Sequence, residues 1–139
     1  MSSPTPSAAD AKERFAAAPV ARLATVTADG RPHIVPCCFA FVGDRIVTAV
    51  DGKPKSTLAL RRLDNVRTHP AASVLVDHYD DDWSQLWWIR ADGESRVVEQ
   101  GAERDAAMAA LTEKYQQYQR VPILGAVIVI ERLRWRAWP

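Results

Sequence analysis

The first half of the chain alternates apolar with polar residues and predicts three consecutive antiparallel strands. A first strand is predicted over residues 20–27 (VARLATVT), which are rich in β-branched side chains. The Asp29-Gly30 pair that follows is a strong hairpin signal, because hairpin turns need the positive φ angles that glycine adopts without strain. A second strand is predicted over 32–42, and a short Gly-Asp turn leads into a third over 45–50. Three strands joined by short turns predict a meander.

The second half of the chain carries three further strand patterns. Residues 71–78 and 125–138 are rich in branched apolar side chains, and a long strand is predicted over 85–99. A bend or bulge is expected near Asp92-Gly93, since glycine inside a strand usually marks one. The uninterrupted apolar run 126–130 predicts a strand that is buried on both faces, either inside a barrel or against a second subunit.

Helical patterns separate these strands. A short helix is predicted over 10–18 and ends at Pro19, and another begins near Ser56, whose hydroxyl is a good N-cap. Residues 101–118 have the clearest helical spacing, with apolar residues three and four positions apart. Six antiparallel strands with flanking helices in so short a chain predict a mainly β protein, a small barrel that removes its sheet edges by closure.

Length and charge limit what the chain can be. Its 139 residues suit a single domain, predicted over 10–139 after a polar, disordered leader over 1–9. A formal net charge of +1 argues against a whole-surface nucleic-acid binder, so any anion site must be local. No apolar run is long enough to span a bilayer, and the N-terminus lacks signal-peptide features. Adjacent Cys37 and Cys38 cannot close a loop by a disulfide, which favours a reducing, cytoplasmic setting.

The turn between the third strand and the second helix is the best candidate for an anion site. Lys53, Lys55 and Ser56 lie there, at the predicted start of the helix. Unsatisfied N–H groups, the positive end of the helix dipole and two ammonium groups together suit a phosphate. The turn alone leaves open that both lysines are simply solvated, because basic turns are common.

Motifs for catalysis by protein side chains are absent from the sequence. There is no nucleophile elbow, no phosphate-binding glycine loop, no His-Glu-x-x-His and no Cys-x-x-Cys pair. His33, His69 and His78 lie in three separate elements, and a metal site of His33 with Cys37 has no evident further ligands. We therefore expect no metal site and no catalytic side chain. An enzyme of this kind takes its chemistry from a cofactor.

Five tryptophans are many for a chain of this length, and they cluster in two places. Within the predicted strand 85–99, Trp88 and Arg90 face one side while Trp87 and Ile89 face the other. One face is expected to be core and the other to line a groove or an interface, where tryptophan and arginine are enriched. Core packing is expected for Trp87 and Trp135, and it is also the alternative for Trp83, Trp88 and Trp138.

Several stretches together resemble the split β-barrel flavin and deazaflavin oxidoreductases, the pyridoxamine 5′-phosphate oxidase-like proteins. These stretches are the hairpin LATVTADGRPHIVP, the Lys-x-Lys-Ser turn with LRRL and NVRTHP, and LVDHY followed by DW. The resemblance covers the chain from about Ala11 onward and is nearest to the actinobacterial class that uses coenzyme F420. It implies a six-stranded antiparallel split β-barrel that forms a homodimer, with a cofactor at each subunit interface.

The resemblance also implies which residues bind the cofactor. Lys53, Lys55 and Ser56 would hold its phosphate, and the ring system would lie against two strand segments, largely through their backbones. The residues implied in those segments are Val35, Pro36, Cys37, Thr48, Ala49 and Val50. Trp83 and Trp88 would reach from the other subunit to wall the pocket. Hydride transfer by such a cofactor needs no protein nucleophile, which agrees with the missing motifs.

The function implied is hydride transfer from F420 to a small planar acceptor, with FMN as the alternative cofactor. A haem- or bilin-binding protein and a non-catalytic cofactor carrier are further alternatives. Two departures from the family pattern stand out. An asparagine common in relatives is replaced near Leu58, and Arg132, Arg134 and Arg136 do not match the substrate-phosphate residues of the pyridoxamine phosphate oxidases. Oxidation of pyridoxamine phosphate is therefore not expected.

Overall fold

The computed structural model describes residues 7–49, 57–123 and 125–139. Within them the strands are β1 Ala21–Val26, β2 Pro32–Cys37, β3 Ala40–Val42, β4 Arg45–Ala49, β5 Ala71–His78, β6 Trp87–Val98 and β7 Val127–Trp138. All seven belong to one antiparallel sheet in the order β2-β1-β5-β6-β7-β4-β3. The prediction of a mainly β, antiparallel protein is confirmed.

Seven strands replace the six predicted, because the strand expected over 32–42 divides into β2 and β3. The chain leaves extended pairing at Cys38 and Phe39, whose backbone groups bond to side chains instead of a neighbouring strand. The Thr48 hydroxyl donates to the Cys38 carbonyl at 2.7 Å. The Tyr115 hydroxyl accepts from the Phe39 N–H at 3.0 Å. No local pattern could report these partners, which lie 10 and 76 residues away along the chain.

The division of that strand also closes the sheet. β2 and β3 stand at opposite ends of the strand order, yet only Cys38 and Phe39 separate them in the chain. Three Cα steps span at most about 11 Å, so the two ends of the sheet must lie side by side. The sheet therefore curls into a barrel, which is the architecture that the strand patterns predicted.

The described residues form four α-helices beside the barrel: α1 Ala8–Ala17, α2 Thr57–Thr68, α3 Ala102–Lys114 and α4 Gln117–Arg120. α1 begins earlier than predicted because Ser7 is its N-cap, with the hydroxyl accepting from the Asp10 N–H at 3.2 Å. The helix predicted over 101–118 is interrupted after Lys114, where Tyr115 has left the helical conformation. None of the helices in the described part of the chain is long and apolar enough to cross a membrane.

The bulge predicted near Asp92-Gly93 is present, and its extra residue lies on the opposite strand. The register between β6 and β7 shifts between Asp92 and Glu94, so that two residues of β7 oppose Gly93. One of these two, Arg132, has a φ of 56°, in the left-handed region. A Cβ atom at Gly93 would lie 2.6 Å from the Glu131 carbonyl oxygen, so the close backbone approach requires glycine.

The start of β7, residues 127–130, is buried on both faces, as the apolar run predicted. Ile128 and Ile130 belong to the barrel core, which also contains Phe15 of α1. Val127 and Val129 point the other way into a second cluster, with Ala107 and Leu111 of α3. A helix of the same chain therefore covers the second face of β7, and that burial needs no second subunit.

Candidate functional site

Three of the residues proposed to bind a cofactor meet at one cavity beside the β2–β3 junction. Pro36 and Cys37 reach it from β2, and Ala49 reaches it from the end of β4. The cavity measures about 260 Å³, and its other lining residues are Val20, Cys38, Arg62 and Tyr118. We call it the junction cavity. It exists because the chain leaves one strand and enters the next at Cys38.

Two further candidates lie close to this cavity without lining it. Thr48 is buried and bonds the Cys38 carbonyl, so it holds the cavity wall in place. Val35 is half-buried and packs against the barrel core. Val50, Lys53, Lys55 and Ser56 lie outside the described residues.

The two tryptophans proposed to wall a cofactor pocket do not line the junction cavity of their own chain. Trp83 lies on a 3₁₀ turn, Trp83–Gln85, and its side chain is 72% exposed. Trp88 lies on β6 with the Arg90 guanidinium 5.8 Å from its ring centre. Trp87 and Ile89 face the barrel core, so the predicted division of this strand into two faces is confirmed.

The sequence analysis did not single out two cations: Arg62 of α2, which lines the cavity, and Lys114 of α3, whose ammonium lies 3.7 Å from the ring centre of Phe39. Arg62 Nε and Lys114 Nζ are both buried without a hydrogen-bond acceptor. Burial lowers the pKa of Lys114 to about 8, because removal from water disfavours the charged form. A signal was available for Lys114, which follows the buried Ala107 and Leu111 at helical spacing.

The two neighbouring cysteines differ in their exposure to solvent. Cys37 is buried and Cys38 is exposed, and both are free thiols. Burial raises the pKa of the Cys37 thiol despite a hydrogen bond with Thr48, which acts in the opposite direction. Cys37 is therefore a neutral wall of the cavity at physiological pH and has none of the marks of an activated nucleophile.

Tyr115 joins the end of α3 to two backbone segments that border the cavity, one at Pro19 and one at Phe39. Its hydroxyl lies 3.0 Å from the Pro19 carbonyl oxygen and 3.1 Å from that of Phe39, and it accepts from the Phe39 N–H. Burial raises the pKa of Tyr115 to about 12, so the phenol keeps its proton and its donor role. These contacts fix the backbone on which the adjacent Val20 and Cys38 are placed.

The histidines are not brought together. His78 stacks on Trp87 with ring centres 6.0 Å apart, and its Nε2 lies 3.8 Å from an Asp80 oxygen. His33 Nδ1 and His69 Nε2 are buried without a partner. Across the described ranges no group of three or more histidine, cysteine or acidic side chains is placed to hold a metal ion.

A second, more open depression of about 540 Å³ lies on the outside of the sheet, and we call it the outer-face groove. Arg90, Asp92 and Arg134 are among its lining residues. Burial raises the pKa of Asp92, but hydrogen bonds from Ser73 and Arg90 outweigh it and leave the pKa lowered. At the end of this face Trp88 pairs across the strands with Trp138.

The junction cavity suits one edge of a flat heterocyclic cofactor. Val20, Pro36 and Ala49 give it apolar walls, and Tyr118 adds an aromatic one. The buried Arg62 Nε has no acceptor within the protein, and a ring carbonyl oxygen would supply one. The residues present therefore fit a flavin-type ring.

Comparison with known proteins gives one family match. A family model described as pyridoxamine 5′-phosphate oxidase matches residues 8–139. No curated protein matches the chain in sequence.

Solved structures share the fold at low sequence identity. A conserved hypothetical protein from Mycobacterium tuberculosis has a TM-score of 0.78 at 20% identity, with 96% of this chain and 85% of that one covered. The heme storage protein HutZ from Vibrio cholerae has a TM-score of 0.71 at 16% identity, covering 94% and 92%. An FAD-binding protein from Mycobacterium smegmatis has a TM-score of 0.60 at 17% identity, covering 96% of each chain. Identities this low establish the fold alone.

Proposed function

The chain belongs to the pyridoxamine 5′-phosphate oxidase family, and from this membership we propose that it is an oxidoreductase with a flavin-type cofactor at the junction cavity. The observation that carries the proposal is the cavity itself, where two strands of the barrel and the buried, unpartnered Arg62 Nε converge. No described side chain there is an activated nucleophile, so the protein would bind and orient while the bound cofactor supplies hydride transfer. The FAD-binding structural relative supports a flavin at this fold.

Within this class we propose the deazaflavin coenzyme F420, with FMN as the alternative. The support is the sequence resemblance to the actinobacterial class, together with the Lys53-Pro54-Lys55-Ser56 turn. α2 begins at Thr57, directly after these four residues in the sequence, and carries Arg62 to the cavity. A phosphate on the turn and a ring in the cavity would therefore occupy the two ends of one short segment.

The decisive measurement is titration of the purified chain with F420, FMN and FAD in separate experiments. Quenching of tryptophan fluorescence reports the binding. We expect Lys55→Ala to weaken binding of the preferred cofactor by about ten- to a hundredfold, because a charge-assisted phosphate contact is lost. Lys12→Ala removes a lysine of α1 that does not line the cavity, and it should leave binding unchanged. Binding of FMN with no response to F420 would replace the deazaflavin by FMN, and no binding of any of the three would reject the proposal.

A haem- or bilin-binding role is the second candidate, favoured by the fold shared with the heme storage protein. Buried His33 Nδ1 and His69 Nε2 have no partner within the protein. Addition of haem would then produce a Soret band that His33→Ala or His69→Ala removes. A cofactor that binds but is never reoxidised by any acceptor tried would instead indicate a non-catalytic carrier.

The proposal includes a homodimer that joins two copies at the outer face of the sheet. Arginines crowd this face, where Arg90 and Arg136 stand directly opposite each other on β6 and β7. The same chain carries three consecutive aspartates, Asp80 to Asp82, beside the exposed Trp83. A second copy would set its acidic turn against these arginines, with Trp83 in the interface.

A further inference from the structure

The short helix α4 differs from the other α-helices of the described chain because it has no buried residue. The others contribute to the core, as α1 does with Phe15 and α3 with Leu111. The described backbone hydrogen bonds of α4 join residues three or four positions apart, for example the Val121 N–H and the Gln117 carbonyl at 2.9 Å. A single helical turn is marginal by itself in water, so residues 116–122 open more easily than the elements around them. We call these residues the α4 flap.

Both ends of the α4 flap are anchored by contacts that are distant in sequence. Before the flap, the Tyr115 hydroxyl accepts from the Phe39 N–H at 3.0 Å. After it, the Arg104 guanidinium of α3 donates to the Ile123 carbonyl at 3.0 Å and to the Gly125 carbonyl at 2.8 Å. The flap therefore has two fixed ends and a weakly packed middle.

The α4 flap borders empty space on two sides. Tyr118 lines the junction cavity, and its ring packs edge-on against that of Tyr115 with centres 5.9 Å apart. A separate depression of about 470 Å³ is lined by the neighbouring α4 residues Gln117, Gln119 and Arg120. The flap therefore has room to move away from the junction cavity, and such a movement would withdraw Tyr118 from the cavity wall.

We propose that the α4 flap gates the junction cavity and that Tyr118 is the aromatic face that closes on a bound ring. The flap opens to admit a flat heterocycle and closes to pack Tyr118 against it. Arg104 is a positioning residue, because it holds the anchor of the flap and does not line the cavity. Gating of a cofactor rests on the proposed function, while the movement itself can be measured without any ligand.

Cys37 supplies a readout of flap opening that needs no cofactor. Its thiol is buried and lines the same cavity as Tyr118. In a Cys38→Ser background Cys37 is the single thiol of the chain, and mass spectrometry can follow its alkylation by N-ethylmaleimide at one fixed pH. Because a buried thiol reacts only when its surroundings open, the alkylation rate measures how often they do so.

In that background Tyr118→Ala should raise the alkylation rate about tenfold, because it removes part of the wall, and Arg104→Gln should raise it severalfold by loosening the anchor. Tyr79→Ala and Arg61→Gln are the matched controls at exposed positions outside the flap, and they should change the rate less than twofold. Tyr118→Ala alters a helix with no buried residue, so it should fold normally, which a urea denaturation curve verifies.

The double variant distinguishes a gate from two unrelated losses of stability. If Arg104 acts through the position of Tyr118, Arg104→Gln should add little to the rate once Tyr118→Ala is present. Two effects that multiply in full would show that Arg104 does not act through the flap, and would overturn its positioning role.

Stopped-flow mixing with FMN, or with F420 if FMN does not bind, tests the gate with a ligand. Arg104→Gln should raise the association and dissociation rate constants together while Kd changes less, since a gate slows both entry and exit. Tyr118→Ala should weaken binding about three- to tenfold through the lost ring contact, and Tyr118→Phe should restore it.

The outcomes separate the gate from the proposed function. Tight flavin binding together with an alkylation rate that neither Tyr118→Ala nor Arg104→Gln changes would overturn the gate alone. Alkylation that responds as expected in a chain that binds neither flavin nor F420 would overturn the proposed function and support the moving flap. Flavin rate constants that Arg104→Gln leaves unchanged would overturn the gating of the cofactor.

Discussion

At the scale of single residues, a few side chains and one glycine set the shape of the barrel. Thr48 and Tyr115 form hydrogen bonds with backbone groups of Cys38 and Phe39, which have no strand partner where the chain leaves β2. Gly93 permits a backbone approach that no other residue would tolerate, since its missing Cβ would lie 2.6 Å from the Glu131 carbonyl oxygen. Each acts through a contact that is distant in sequence.

Gly93→Ala should lower the free energy of unfolding by about 1–3 kcal/mol, because the β6–β7 ladder must shift to admit the methyl group. Urea denaturation measures the loss, and hydrogen exchange should locate it in β6 and β7. Gly30→Ala is the comparison, because its φ is 84° but no atom lies within 4 Å of the added Cβ. Its effect should stay within the β1–β2 hairpin. Unchanged stability of Gly93→Ala would show that the bulge does not need glycine.

At the scale of elements, a charge network fastens α3 to the barrel. The Arg96 guanidinium bonds Glu103 of α3 and, at 3.0 Å, Glu131 of β7. Arg45 of β4 contacts the same two carboxylates at 2.8 and 3.3 Å. Hydrogen bonds from Arg96 lower the pKa of both Glu103 and Glu131 below the ordinary glutamate value. The network thus joins four elements that the hydrophobic pattern treats separately.

Arg96→Gln should destabilise the protein by about 1–2 kcal/mol at neutral pH, an amount limited by the partial exposure of the network. A carboxylate with a lowered pKa stabilises the fold above the pKa of the unfolded chain, and this stability is lost as pH falls through the folded pKa. The difference between wild type and variant should therefore shrink below about pH 4.5, the ordinary glutamate value. Urea denaturation of the wild type and of Arg96→Gln at several pH values measures this difference in stability.

Arg67→Gln is the matched control for that network. Its partner, Glu99, is 68% exposed, so the pair should contribute less than about 0.5 kcal/mol. Equal losses for the two arginines at every pH would contradict a special role for Arg96.

At the scale of the whole molecule, one face of the sheet has no helix packed on it in the described part of the chain. Arginines and tryptophans occupy it together with Ile34, whose side chain is 64% exposed. Such a face is typical of an interface, and the proposed homodimer would cover it.

Ile34→Lys should convert a dimer into a monomer of 15.4 kDa, because a buried ammonium would replace an apolar contact at the interface. Sedimentation equilibrium measures the mass. Val121→Lys is the matched control, since Val121 is also 64% exposed but follows α4, away from this face. A wild-type chain that sediments as a monomer at every concentration would reject the dimer.

Much of the fold could be predicted from local pattern. The β1–β2 and β3–β4 hairpins, the strand over 71–78, the bulge near Gly93 and the doubly buried start of β7 all depend on side-chain alternation or on glycine, which neighbours in the chain reveal. The division of the second strand could not be predicted, because Cys38 and Phe39 continue the apolar pattern. Their conformation depends on Tyr115, far along the chain.

The candidate site shows the same limit. Pro36, Cys37 and Ala49 were proposed from a resemblance, and the fold gathers them at one cavity. The unpartnered state of Arg62 and Lys114 depends on which side chains surround them in three dimensions, and no spacing rule contains that information.

By itself, the sequence determined the fold class, the family and the approximate positions of most elements, because periodicity and turn chemistry act over a few residues. The tertiary structure alone decided where the barrel closes and which charges are left without partners. Both depend on contacts between residues that are remote in the chain. Burial makes apolar contacts stabilising and makes an unpaired polar group costly. The cavity between β2 and β4, with Arg62 among its lining residues, is a product of that closure.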